Sequence, residues 1–171
     1  MNDRRDDRSA AELIAQAKEA TARAKADLLK TFEFVPEDRL AWSPSPTART
    51  PLWIVAHCGA SNAAFAAILR GEPLPMPPDP AEAAALIRAG GRETATRLEA
   101  VRSVEDSTAD IIRALDAVTA ARIVTSPESP LGPLPFTVWM QVPAIHMMGH
   151  ARQLDYLQTI WGDVDYHTQI A

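Results

Sequence analysis

Residues 137–162 read TVWMQVPAIHMMGHARQLDYLQTIWG, an apolar stretch that contains one proline and ends at a glycine. Its apolar residues recur at helical spacing and lack the alternation typical of strands. We therefore predict that this stretch is the last helix of the chain, with Thr137 as its N-cap and its end near Trp161. Pro143 cannot bond to the carbonyl of Trp139, so we expect either a kink there or a later start of the helix.

The prolines divide the rest of the chain into helical blocks. Of the 14 prolines, nine lie between Pro36 and Pro80 and five lie between Pro127 and Pro143. Because proline breaks helix interiors, long helices fit only in the proline-free stretches, which are rich in alanine. We predict an all-α fold, an antiparallel four-helix bundle with long Pro-rich loops and a short extra helix between the second and third bundle helices.

Capping and breaking residues predict the ends of the other helices. The first helix should span about Ser9–Phe34, with Glu12 at the capping-box spacing from Ser9. The second should start near Thr50 and end at Gly71, a natural C-terminal glycine. The remaining predicted segments are a short helix from Asp79-Pro80 to Gly90-Gly91, a third bundle helix over about Arg92–Val118, and a loop over Ser126–Pro135.

Length and charge bound the domain organisation and the partners. The 171 residues predict one domain, 1–171, with residues 1–8 and 163–171 as flexible tails. The net charge of −5 disfavours a nucleic-acid binder and a polybasic membrane-surface module.

The sequence predicts neither a transmembrane helix nor a targeting peptide. It contains no stretch of 18 consecutive apolar residues, and no apolar segment follows the N-terminal arginine pair. The single cysteine, Cys58, fits a reducing compartment, so we expect a cytoplasmic protein.

Three of the four histidines lie on apolar helical faces. His146 and His150 are four residues apart, so they lie about 40° apart on the last helix. The other residues on that face predict that both rings point into the bundle and away from water. His57 lies on a similar apolar face in the second helix, together with Trp53 and Phe65.

A metal ion would explain three inward-pointing imidazole rings. A buried polar group without a partner costs roughly 1–3 kcal/mol, and neutral imidazole is a common metal ligand. We predict that His57, His146 and His150 bind a divalent ion, zinc or nickel, with open positions typical of catalytic sites. The alternative is a set of core histidines held by hydrogen bonds. No glutamate lies between His146 and His150 to serve as the base of a metalloprotease, so no catalytic residue is assigned.

The residues around the histidines carry further expectations. Cys58 should be a small packing residue, because one helical step turns it about 100° away from His57. Ser61 lies one turn after His57 and either faces the cavity or bonds to the helix backbone. We expect Trp53, Trp139 and Trp161 mainly in the core, one of them walling a pocket, and Arg152, Asp155 and His167 in solvent.

Two segments of the chain resemble a known family. The first contains Trp42-Ser43-Pro44 and the helix start TPLWIVAH, residues 50–57. The second is HMMGHARQL, residues 146–154, a His-x3-His-x2-Gln run. With the order and spacing of the four helices, these residues resemble the DinB/YfiT-like superfamily of metal-dependent four-helix-bundle proteins, and the likeness covers most of the chain.

The resemblance implies a ligand set, an assembly and a range of functions. It implies a metal held by His57, His146 and His150, frequent homodimers, and Gln153 as a motif residue without an assigned role. Some members are S-transferases or isomerases that use low-molecular-weight thiols, and others are hydrolase-like. We therefore expect a metal-dependent thiol S-transferase acting on a small molecule, with a metal-dependent hydrolase and a non-catalytic metal- or ligand-binding bundle as alternatives. The Pro-rich loop 72–78 and the segment Asp79–Gly90 are expected to cover the site.

Overall fold

Six α-helices and one short 3-10 turn make up the regular structure. The computed structural model describes residues 3–73, 77, 79–89, 96–127 and 133–167, and no strand occurs among them. The 3-10 turn spans Glu37–Arg39. The helices are α1 (Asp3–Glu33), α2 (Pro51–Arg70), α3 (Pro80–Ala89), α4 (Arg97–Asp116), α5 (Ala120–Ile123) and α6 (Phe136–Ile160). The all-α prediction is confirmed.

Four of these helices, α1, α2, α4 and α6, form the predicted bundle. The most extensive packing is between α2 and α4 and between α1 and α6, and α2 also packs on α6 and α1 on α4. The order around the bundle is therefore α1, α6, α2, α4. The short helix α3 lies between the second and third bundle helices of the chain, as predicted.

Two of the neighbouring helix pairs run antiparallel. Arg97 at the start of α4 donates to the carbonyl of Phe32 at the end of α1. Similarly, α2 and α6 pass in opposite directions, because Ile54 lies beside Leu157 whereas Phe65, further along α2, meets the earlier residue His146 of α6. This antiparallel crossing brings the middle of α2 to the middle of α6.

The other two neighbouring pairs run in the same direction, so the predicted antiparallel arrangement holds for only two of the four pairs. Gln158 near the end of α6 donates to the carbonyl of Thr31 near the end of α1. Along α2 and α4, Gly59 lies against Ser103, and further on Arg70 pairs with Asp110 at 2.7 Å. Two consecutive bundle helices that run parallel need a long return connection, since each 20-residue helix is about 30 Å long. Residues 71–96, which include α3, form this connection.

Several predicted helix ends were wrong. α1 begins at Asp3, so Ser9 lies inside the helix and is not its N-cap. The third bundle helix, α4, begins at Arg97 after a complete capping box in which Thr96 and Glu99 each bond to the other's backbone N–H. Helix α6 begins at Phe136 and continues through Pro143, which rules out the later start and leaves Thr137 in the first turn. The predicted stop at Gly90-Gly91 and part of the 126–135 loop lie outside the described residues.

The C-terminal segment also differs from the predicted solvated tail. His167 stacks on the ring of Phe34, with ring centroids 3.9 Å apart and planes within 10°. Its Nε2 also lies 2.8 Å from a carboxylate oxygen of Asp163. His167 therefore packs back onto the end of α1, and the prediction that His167 is solvated was wrong.

The core consists of two clusters stacked along the bundle. The first includes Leu28, Phe32, Ile54, Met147 and Leu154, and the second includes Leu69, Ile111, Leu115, Phe136 and Trp139. Among the described helices, α2 is long and apolar enough to cross a membrane, with a mean hydropathy of 1.6 over 18 residues. Core helices of bundles meet the same criterion, and 61% of that window is buried inside the fold.

We expect Arg97→Met to destabilise the bundle by about 1–3 kcal/mol, because charge-assisted hydrogen bonds are lost. The guanidinium of Arg97 donates to the carbonyls of Phe32 and Val35 and lies 4.9 Å from the Phe32 ring. It thereby satisfies C-terminal carbonyls of α1, where a cation is favourable. Urea denaturation measures the effect. Arg102→Met, at an exposed site on the same helix, is the control and should change stability by less than about 0.5 kcal/mol.

Candidate metal centre

The rings of His57, His146 and His150 converge where α2 crosses α6. His57 lies near the middle of α2, and the other two lie one turn apart on α6. The Nε2 atoms of His57 and His146 are 3.3 Å apart, and those of His146 and His150 are 3.2 Å apart. These three residues are the group among the described residues whose nitrogens could hold one ion. The structure thus brings together the three predicted ligand residues.

The spacing of these nitrogens fits a small metal ion. Two imidazole nitrogens bound to one tetrahedral ion at about 2.0–2.1 Å lie roughly 3.3–3.4 Å apart, whereas neighbouring octahedral ligands lie about 2.8–3.0 Å apart. The observed 3.2 and 3.3 Å are closer to the tetrahedral spacing. All the candidate ligand atoms lie within 4.8 Å of one another. The donor set is therefore chemically and geometrically suited to a divalent ion.

Gln153 orients one of the rings. The Nδ1 of His150 lies 2.7 Å from Oε1 of Gln153, so Nδ1–H donates and Nε2 keeps its lone pair. That tautomer points the lone pair at the other two rings. Metal-binding histidines commonly donate their second N–H to such an outer partner. The sequence identified Gln153 as a motif residue only, and the structure supplies its contact.

Aromatic side chains hold the other two rings. Trp53 stacks on His57 with ring centroids 4.6 Å apart, and Phe65 meets His146 edge-on at 5.3 Å. Ser61 faces the site, with its hydroxyl 3.4 Å from Nε2 of His57. The Nδ1 atoms of His57 and His146 are buried and have no hydrogen-bond partner among the described residues. A metal would therefore satisfy the Nε2 side of these rings and leave the Nδ1 side unpaired.

The site lies at the edge of the bundle and not in its centre. His57 is buried, but His146 and His150 are half-buried, and Gly149, Gln153 and Ile160 on the same face of α6 are exposed. The prediction that this whole face is a core stripe was wrong. Its apolar part, which includes Trp139 and Leu157, is buried, whereas the part beside the histidines opens to solvent.

A cleft of about 410 Å³ lies beside His150, because Gly149 and the His150 partner Gln153 line it, although none of the three histidines is among the described lining residues. This volume lies in the range of small-molecule sites. Its apolar wall consists of Pro44, Ala48, Ile54, Gly149 and Leu157, and its polar residues are Arg49, Arg152, Gln153 and Tyr156. Among the described residues that line the cleft, none carries a carboxylate. The loop before α2 contributes to the wall, whereas α3, which was expected to cover the site, supplies none of the described lining residues. Most of the Pro-rich loop 72–78, which was also expected to cover the site, lies outside the described residues.

The predictions for the other residues near the histidines agree with the structure only in part. Cys58 is fully buried and burial raises the pKa of its thiol, which agrees with a packing role. Trp139 is buried in the second core cluster, and Trp161 packs against the first. Trp53 stacks on His57 and so lies against the site. Arg152 and Asp155 are not simply solvated: they pair at 2.9 Å, Arg152 lines the cleft, and the Asp155 side chain is only 19% exposed.

Arg49 and Tyr156 line the cleft, but neither was predicted from the sequence. Arg49 precedes the N-cap of α2, where a positive charge is unfavourable because the helix dipole is positive there. This placement is the sequence feature that could have marked Arg49 as a candidate functional residue. Tyr156 carries no comparable signal, because one exposed tyrosine on a helix is ordinary. Only the crossing of α2 and α6 and the path of the preceding loop place both residues beside the histidines.

The histidine rings are held neutral by their surroundings. Burial, followed by the charges of His150 and Arg49, lowers the pKa of His57 to about 4. Burial, followed by the charges of His150 and His57, lowers the pKa of His146 to about 3. Burial also lowers the pKa of His150, although its hydrogen bond to Gln153 opposes this shift. Neutral imidazole is the form that binds metals.

We expect the metal-free protein to lose stability as the pH falls from 7 to 5. The unfolded histidines take up protons near pH 6.5, whereas the folded pKa values of His57 and His146 are about 4 and 3. Between these values the unfolded chain binds more protons, so stability is present above pH 6.5 and decreases towards pH 4. The loss by pH 5 should be about 1–2 kcal/mol for each ring.

Urea denaturation at pH 7 and pH 5, after removal of metal with a chelator, measures this loss. In His146→Leu, the free energy of unfolding should decrease less from pH 7 to pH 5 than it does in the wild type. The difference should be about 1–2 kcal/mol, the contribution of the His146 ring. Equal stability of the wild type at both pH values would show that the folded protein accepts these protons and would contradict the lowered pKa values.

Comparison with known proteins agrees with this arrangement. The family model described as the DinB superfamily matches residues 4–154, a range that includes α2, α4 and all three histidines. A comparison with curated proteins yields no significant match. Because the family model covers most of the chain and the helical bundle and histidine cluster agree with it, the chain belongs to the DinB superfamily.

Proposed function

We propose that this protein is a metal-dependent thiol S-transferase whose ion is held by His57, His146 and His150. The observation that supports the proposal is the convergence of three Nε2 atoms beside an open cleft. Three protein ligands leave positions for other molecules, which is the pattern of catalytic metal sites. An all-imidazole donor set suits zinc and nickel, which are the candidate ions.

The residues of this chain would bind and orient, and the ion would supply the acid–base chemistry. A bound divalent cation lowers the pKa of a thiol and stabilises its thiolate. Gln153 holds the ring of His150, and Trp53 holds the ring of His57. The described cleft residues include no carboxylate base, which is compatible with a reaction in which the ion promotes loss of the thiol proton.

The reacting thiol must come from a small molecule. Cys58 is the only cysteine, it is completely buried, and burial raises the pKa of its thiol. A thiol in that state is a poor nucleophile at neutral pH. We therefore propose a low-molecular-weight thiol as one substrate and a small electrophile in the cleft as the other.

Metal analysis and thiol consumption together test the proposal. The purified protein, prepared without a nickel column, should contain about one equivalent of a divalent metal by plasma mass spectrometry. The zinc-loaded protein should accelerate the reaction of a thiol with monobromobimane, in which a C–S bond forms, bromide leaves and the thiol proton goes to solvent. Glutathione, coenzyme A and cysteine serve as the thiol panel.

The outcomes separate the three functions. Acceleration that depends on both thiol and metal supports the S-transferase. Metal-dependent cleavage of p-nitrophenyl acetate without a thiol would instead support the hydrolase. Stoichiometric metal without turnover in either assay would leave a metal-binding bundle and refute the enzyme proposal.

We also propose that the protein is a homodimer. Helix α6 carries an exposed apolar stripe in which Val138 and Ile145 are seven residues apart and Met148 lies one turn after Ile145. Pairing of this stripe with a second copy would bury it about a two-fold axis. Light scattering at micromolar concentration should give twice the monomer mass, and a monomer mass would refute the proposal.

A further inference from the structure

Arg49 lies beside the metal centre on a stack of rings. Its guanidinium carbon is 4.0 Å from the centroid of Trp53, and Trp53 in turn stacks on His57 at 4.6 Å. Arg49 also lines the cleft, on the wall formed by the loop before α2. The tryptophan face therefore holds the cation at a defined place next to the histidines.

Apart from its contact with the face of Trp53, the charge of Arg49 has no partner in the described part of the fold. Among the described residues, no carboxylate lies within ion-pair distance of Arg49, whereas Arg70 pairs with both Glu72 and Asp110. Its place beside the N-terminus of α2 is unfavourable for a cation, because the helix dipole is positive there. Stability alone therefore does not account for a half-buried arginine at this position.

The second arginine of the cleft is neutralised. Arg152 pairs with Asp155 at 2.9 Å and lies over the ring of Tyr166. Among the described residues that line the cleft, Arg49 is the cation without a carboxylate partner, and its charge matches one negative charge on a ligand. A guanidinium offers two parallel N–H donors, the geometry that a carboxylate accepts.

We propose that Arg49 binds the carboxylate of a small organic acid whose apolar body lies in the cleft. The apolar residues Pro44, Ala48, Ile54 and Leu157 would contact that body. Arg49 and His57 contact the same tryptophan, and Gln153, which bonds to His150, lines the cleft, so an acid anchored at Arg49 would place its apolar body beside the histidine cluster. As the substrate site of the enzyme, this assignment rests on the proposed function, but anion binding by Arg49 does not require the metal.

The experiment compares a carboxylate with its neutral amide on the full-length, metal-free protein. Phenylacetate and phenylacetamide have the same apolar body, and isothermal titration calorimetry at low salt measures both. We expect phenylacetate to bind at least about 10-fold more tightly, as a charge-assisted hydrogen bond predicts. Arg49→Gln should abolish this preference, Arg49→Lys should restore part of it, and Arg102→Gln, at an exposed site on α4, should leave it unchanged.

The outcomes for Arg49 and for the metal are distinguishable. Equal affinities for the acid and the amide, or a preference that survives in Arg49→Gln, would overturn the proposal. Carboxylate binding that appears only after zinc loading and is insensitive to Arg49 would also overturn it, because the ion would then hold the anion. Failure of the wild type to load zinc would refute the proposed enzyme and leave the Arg49 comparison valid, since that comparison uses metal-free protein.

Discussion

His150→Ala should abolish stoichiometric metal binding while the bundle stays folded. The substitution removes one of three converging nitrogens and also breaks the contact with Gln153. Loss of an outer partner alone typically costs 10–100-fold in metal affinity, so loss of a ligand should cost roughly 100-fold or more. The fold should survive, because His150 is only half-buried and lies at the edge of the core.

Metal analysis after dialysis and thermal unfolding measure this result. Zinc should raise the melting temperature of the wild type, because a ligand that binds only the folded state stabilises it, and should not raise that of His150→Ala. His167→Ala is the control and should retain metal, since His167 bonds to Asp163 and packs on Phe34. A wild type that shows no zinc-dependent shift above pH 7 would indicate a hydrogen-bonded histidine network and remove the basis of the enzyme proposal.

Gly59→Ala should destabilise the bundle, although alanine is the better helix former. A Cβ at Gly59 would lie 2.9 Å from Cβ of Ser103 and 3.1 Å from its backbone carbonyl carbon. The Ser103 hydroxyl can rotate away, but these two atoms move only if α2 and α4 separate. We expect the overpacking, which costs about 1–3 kcal/mol, to outweigh the helix-propensity gain of about 1 kcal/mol and to give a net loss of up to about 2 kcal/mol.

Gly149→Ala is the matched comparison. A Cβ at Gly149 meets no atom within 4 Å, so the substitution adds helix propensity without a clash. It should stabilise the protein by about 0.5–1 kcal/mol in urea denaturation, the opposite sign to Gly59→Ala. Stabilisation by both substitutions would show that α2 and α4 are free to adjust at Gly59.

The bundle helices and the convergence of His57, His146 and His150 could be predicted from local features. Proline-free stretches indicated the bundle helices, and Pro51 and Gly71 predicted the ends of α2 correctly because both act through backbone geometry. The four-residue spacing of His146 and His150 placed both rings on one face of a helix. The start of α1 was wrong because Ser9 fits the interior of a helix as well as its cap.

The direction of the helices and the surroundings of the metal centre depend on contacts between distant residues. Periodicity shows which face of a helix is apolar, but not whether its neighbour runs parallel, and the parallel α2–α4 pair brings Gly59 against Ser103. The same limit explains why one α6 face, predicted as core throughout, opens to solvent beside His150. The role of Arg49 arises in the same way: the sequence places a cation before α2, and only the antiparallel crossing of α2 and α6 places it at a metal centre.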